Sequence, residues 1–86
     1  MDFCFYEVGY ATGKVRINAI IQTEKSNPSF EDSIDVTYER ISNTGEKIVK
    51  TKLTKIGTTY KDAYGFNCQR YSDVFEENCR ITIIPK

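Results

Sequence analysis

Histidine is absent from this chain of 86 residues, and so is any excess of charge: twelve Lys and Arg stand against twelve Asp and Glu. Without an imidazole the usual general base near neutral pH is missing, which excludes ordinary Ser-His-Asp and Cys-His catalysis. No phosphate-binding glycine loop, dinucleotide fingerprint or metal-binding carboxylate spacing occurs either. The adjacent acids Glu31-Asp32 and Glu76-Glu77 read as solvated charge. The chain is therefore expected not to be an enzyme and to carry no cofactor. Its charge balance lacks the basic excess of a typical nucleic-acid or membrane-surface binder.

Long apolar runs are missing as well. Ile81-Thr82-Ile83-Ile84 falls far short of the roughly 20 residues a membrane-spanning helix needs. The start, Met1-Asp2-Phe3-Cys4, has no basic segment followed by an apolar one, so no secretory leader is expected and the cytoplasm is the expected location. Cysteine is scarce and odd in number: Cys4, Cys68 and Cys79. A secreted disulfide scaffold would pair its cysteines, and a structural zinc would need four thiolate or imidazole ligands. Free thiols are the expectation, with a Cys68–Cys79 bridge as the alternative, and no metal is expected.

What is present reads as one domain over residues 1–86. A chain this short buries only about 60–65% of its unfolded surface, so its core is thin and function belongs on a surface. Two hairpins stand out. Residues 3–9 and 14–22, rich in Phe, Tyr, Val and Ile, flank Ala11-Thr12-Gly13. A four-residue loop would set Val8 against Val15, Tyr6 against Ile17, Cys4 against Ala19 and Glu7 against Arg16. Residues 34–41 and 46–56 flank Ser42-Asn43-Thr44-Gly45. The same loop there sets Tyr38 against Val49, Val36 against Thr51, Ile34 against Leu53 and Asp35 against Lys52. Each hairpin thus has one apolar and one charged face.

Residues 25–33, with Asn27-Pro28, form a polar connection anchored by Phe30. Residues 56–66 read as a fifth strand, with Gly57 marking a bulge. Cys68, Tyr71, Phe75 and Cys79 then recur at intervals of three, four and four, which predicts a helix over 68–78. Its Tyr71/Phe75 stripe would cover Phe3, Phe5 and Ile20, which fall on the charged face of the first hairpin. Arg80 to Ile84 returns as a strand. The predicted class is α+β, mainly β: an antiparallel sheet of five to six strands built from two Thr-Gly hairpins, with one short helix before the last strand.

Charge is uneven along the chain. Residues 24–46 carry six acids against Lys25 and Arg40, whereas residues 47–71 carry five Lys and Arg70 against Asp62. The candidate binding surface is Lys50, Lys52, Tyr60, Tyr64 and Tyr71. It could hold single-stranded nucleic acid, with phosphates on Lys and bases on Tyr, although Asp35 offers Lys52 a cross-strand partner. The leading expectation is a small non-enzymatic protein-binding module that occludes or bridges a macromolecule. Small size and a bias to Lys, Ile, Asn and Tyr, which suits AT-rich coding, point to a phage or mobile-element inhibitor of a host protein. Nucleic-acid binding, or self-association through sheet edges as an assembly subunit, are the alternatives.

Overall fold

Alternation of apolar and polar side chains runs through nearly the whole chain, and the chain folds accordingly. The computed structural model describes residues 2–85. It contains β1 (Asp2–Ala11), β2 (Lys14–Thr23), β3 (Ser33–Ser42), β4 (Gly45–Lys61), β5 (Asn67–Glu76) and β6 (Ile81–Ile84). All pairings are antiparallel, and the strands lie in the order β1-β2-β5-β4-β3-β6. The six strands curl into a nearly closed, barrel-like sheet. No helix occurs among the described residues.

The core lies inside the curl. Val15, Ile17, Ala19, Val36, Tyr38, Leu53, Tyr71 and Ile81 are buried together, each contributed by every second position of its strand. Tyr6, Val8, Ile21, Ile34, Val49, Phe75 and Ile83 pack around them. Burying a side chain such as Leu53 contributes about 1.5–3 kcal/mol.

The second hairpin has the expected register: Tyr38 pairs with Val49, Val36 with Thr51, Ile34 with Leu53 and Asp35 with Lys52. The first hairpin differs by two residues. Val8 pairs with Ile17, Tyr6 with Ala19, Cys4 with Ile21 and Glu7 with Asn18. A shift of two keeps every side chain on its face, so the core is unchanged. The reason is the turn. Ala11 and Lys14 still pair, leaving only Thr12-Gly13 in the loop, with Gly13 at φ 71°, where a side chain would be strained. Running β1 on to Ala11 also places the Tyr10 hydroxyl on the backbone of Ile81.

The predicted helix over 68–78 is a strand. In β5 the residues Gln69, Tyr71, Asp73 and Phe75 share the inward parity, and the polar members broke the apolar alternation. Gln69 is fully buried, yet satisfied: its amide donates to the carbonyl of Ile56 at 2.9 Å and its oxygen accepts from the Thr59 hydroxyl at 3.0 Å. Those partners belong to a break in β4, where the register against β5 shifts between Ile56 and Tyr60 and Gly57 has φ 67°. The expected fourth and fifth strands are therefore one 17-residue strand carrying that bulge, which bends the sheet toward closure. All three cysteines are free; Cys68 is buried, Cys79 half-buried and Cys4 exposed.

Candidate functional site

The predicted surface does not assemble as one site. Tyr71 is 1% exposed and points into the core, where its hydroxyl donates to the Glu31 carbonyl at 2.6 Å. Burial, followed by the charges of Glu31 and Asp32, pushes its phenol above the ordinary range. It leaves the candidate surface because β5 is a strand whose inward parity includes residue 71. Lys50 and Lys52 do share the outer face of β4, beside a shallow cavity between β3 and β4. Lys52 reaches the Asp35 carboxylate at 2.6 Å, and that hydrogen bond and charge hold its amine above the usual range. Eight residues further along β4, roughly 25 Å by strand rise, Tyr60 stacks instead against Arg70, whose guanidinium carbon lies 5.0 Å from the ring centre.

Tyr64 is 86% exposed on the β4–β5 loop. Asp62 organises that loop: its carboxylate accepts from the N–H groups of Tyr64 at 2.9 Å and Phe66 at 3.0 Å, and from the Gln22 amide. Burial pushes the Asp62 carboxyl up, but the Phe66, Gln22, Tyr64 and Cys68 hydrogen bonds outweigh it and hold the group below the ordinary carboxylate range.

A different surface is built on the outer face of β1, β2, β5 and β4. Register places Phe5, Ile20, Arg70 and Ile56 in one row across the four strands, and Phe3, Gln22, Cys68 and Tyr60 in the next. Phe5 is 57% exposed and Phe3 40%, since no helix covers them; Ile56 and Val74 are also exposed. The Arg70–Tyr60 stack lies within this apolar field. In the adjacent row of the same face the Ser72 hydroxyl donates to Asn18 at 2.7 Å. The sequence carried a signal for this surface: Phe3 and Phe5 alternate out of phase with the core residues of their own strand. Arg70 and Ile56 carried none, because β5 was read as a helix and β4 as two strands.

The two ends of the barrel differ in chemistry. At one end, the Tyr38 hydroxyl donates to Glu77 at 3.0 Å and Arg40 meets the other Glu77 oxygen at 3.1 Å. Burial and then the Glu77 hydrogen bond raise the Tyr38 phenol to about 12. Arg80 stacks over Tyr10 at 4.6 Å. At the other end, β1 and the start of β3 flank an open cleft. No group of three metal-ligating side chains comes together among the described residues. No protein-family model, curated protein or solved structure matches this chain.

Proposed function

We propose that the chain is a small non-enzymatic protein-binding module that contacts its partner through the outer face of β1, β2, β5 and β4. The observation that carries this reading is the row Phe5–Ile20–Arg70–Ile56 with the Arg70–Tyr60 stack beside it, left uncovered on a thin sheet. Large apolar groups kept in water on one face cost solubility, and such patches mark contact surfaces. Aromatic residues and Arg are also the types that dominate interface energetics. A standard interface takes about 800 Å² from each partner, a modest share of the 6167 Å² this molecule exposes. A module of this size acts by occlusion, which suits an inhibitor of a host macromolecule in the cytoplasm. The nucleic-acid alternative has less support, because Lys52 is engaged by Asp35 and Tyr71 is buried.

The test is capture of a partner from the native host by wild type and three variants. Phe5→Ser and Ile56→Lys should each abolish capture, while Lys50→Glu should leave it intact. Loss with Lys50→Glu and retention with the other two would transfer the function to the basic strand.

A further inference from the structure

The ladder between β4 and β5 covers only part of β4. It runs from Thr54–Ser72 to Lys61–Asn67. Beyond Ser72 the next N–H in line toward β4, that of Val74, turns instead to the Asp73 carboxylate at 2.9 Å. Even if the register continued, the last residue of β5, Glu76, would reach only Lys50, and Gly45–Val49 would lie beyond it. On its other side β4 pairs with β3 from Gly45 to Thr54. The β3–β4 hairpin is thus a two-stranded arm, and the molecule is 47 Å long against 23 Å and 21 Å across. Lys55 fixes the backbone direction along the arm, because its N–H donates to the Asp32 carbonyl on the β3 side at 2.9 Å. Alternate residues turn their main-chain groups to opposite sides, so Glu46, Ile48, Lys50 and Lys52 present theirs on the edge away from β3. Among the described residues no strand pairs with that edge between Gly45 and Leu53. Ile41 and Ile48 are exposed on the outer face of the arm. They are diagonal neighbours, since Ile41 pairs with Glu46 and Ile48 with Glu39.

We infer that this edge takes a second copy of the chain, the two β4 strands joining antiparallel about a two-fold axis through Ile48. The sheet then continues as β3-β4-β4-β3, and the contact is the same patch on both copies. Side-chain chemistry selects the register. With the axis at Ile48, Ile48 meets Ile48, Glu46 meets Lys50, and Lys50 meets Glu46 of the second copy. All of these are positions whose main-chain groups face the edge, so ladder bonds and favourable side-chain pairs coincide. Ile41 flanks Ile48 on each copy, which makes one apolar stripe of four isoleucines across the outer face. On the inner face the aliphatic stem of Lys47 meets Val49. Other registers are worse. An axis at Lys47 or at Lys50 sets identical cations against each other. An axis at Val49 sets Ile48 against Lys50 and requires of Glu46 a Lys52 that Asp35 already holds. An offset of one residue turns the apolar face of one copy to the charged face of the other. Lys47, Lys50 and Lys52 also guard the edge against foreign strands, as lysines on free edges do. A strand that brings an acid to Lys50 and an isoleucine to Ile48 passes that guard, and this chain carries both. The contact is short and falls below the roughly 1,200 Å² of a standard interface, so the dimer is weak and exchanging. It lies apart from the row Phe5–Ile20–Arg70–Ile56 and does not rest on the outer-face reading.

The test is sedimentation and amide hydrogen exchange of the intact protein between about 10 μM and about 1 mM, the range in which a weak contact saturates. Mass should rise from monomer toward dimer. The N–H groups of Glu46, Ile48 and Lys50 should exchange at least about threefold more slowly at the upper concentration, while those of β2 do not change. Glu46→Lys should weaken the dimer at least about tenfold, since it sets Lys against Lys twice. The double variant Glu46→Lys/Lys50→Glu restores both pairs with their signs exchanged and should return the affinity to within about threefold of wild type. That recovery also shows that the variants fold. A strict monomer at about 1 mM, a double variant as weak as Glu46→Lys alone, or a dimer whose protected amides lie in β1 or β6 would each overturn the inference. Capture by the outer face is decided separately by Phe5→Ser and Ile56→Lys, so either reading can fail without the other.

Discussion

The two ends of this barrel close by different means. At the end formed by the Thr12-Gly13 turn and β6, side chains complete what backbone pairing leaves open. Tyr10 both donates to and accepts from Ile81, and Glu77 ties Tyr38 and Arg40 together while its N–H donates to the Gly13 carbonyl. At the opposite end Asp62 organises the β4–β5 loop and accepts from Gln22 of β2, and the Asn67 amide donates to the Lys25 carbonyl at 2.8 Å. No comparable bridge spans β1 and β3 there among the described residues. A short sheet can thus be closed at one end through the short strand β6 and held at the other through its loops.

The strongest way to break this contrast is to remove what both ends share. Leu53 is fully buried at the middle of β4, and Leu53→Ala should cost about 2–5 kcal/mol. Urea unfolding followed by circular dichroism should show a single weakened transition, and two separate transitions would mean the ends fold independently. Alkali comes next and acts on both ends. Burial and the Cys4 thiol raise the Tyr6 phenol to about 12, as burial and Glu77 do for Tyr38. Because the folded values lie above the unfolded one, their contribution is fully present below about pH 10 and is lost as pH rises through about 12. The urea midpoint should decrease between about pH 9 and about pH 11, roughly one unit either side of the free phenol value. An unchanged midpoint would contradict the assignment.

Tyr10→Phe sharpens the contrast at the sealed end alone. Losing the hydroxyl leaves two backbone groups of Ile81 without their partner, at a cost of about 1 kcal/mol. That corresponds to a fall in Tm of roughly 4–8 °C for a domain of this size. Amides of β6 should exchange faster while those of β5 do not, and uniform acceleration would deny Tyr10 a local role. Asp62 gives the smallest effect, at the opposite end. Its folded pKa is depressed, so its contribution is present above about pH 3.9 and lost as pH falls through the folded value. A melting series in acid should flatten in Asp62→Asn, and identical slopes would remove Asp62 from the account.

Much of the fold was legible because strand alternation is a local property. The second hairpin's register followed from pairing Asp35 with Lys52 and apolar with apolar residues. The first hairpin's faces followed as well, but its register did not, since a shift of two preserves every face and only the long-range Tyr10–Ile81 contact distinguishes the choices. The surface was legible only in part. Phe3 and Phe5 announced themselves by facing out of phase, whereas Tyr71 joined the candidate surface through its nearness in sequence to the basic segment, and its helical spacing with Phe75 coincides with the strand parity that buries it.

The amino-acid sequence by itself determined an antiparallel β domain, two hairpins with their apolar faces, and the bulge at Gly57. Those depend on side-chain period and on backbone freedom within a few residues. Tertiary structure alone decided that residues 67–76 form a strand, because Gln69 is tolerable inside only when the bulge of a neighbouring strand presents carbonyls to it. Tertiary structure also decided which strands are edges, and hence that the sheet almost closes. Strand order is set by contacts between residues distant in the chain, and no local pattern encodes it.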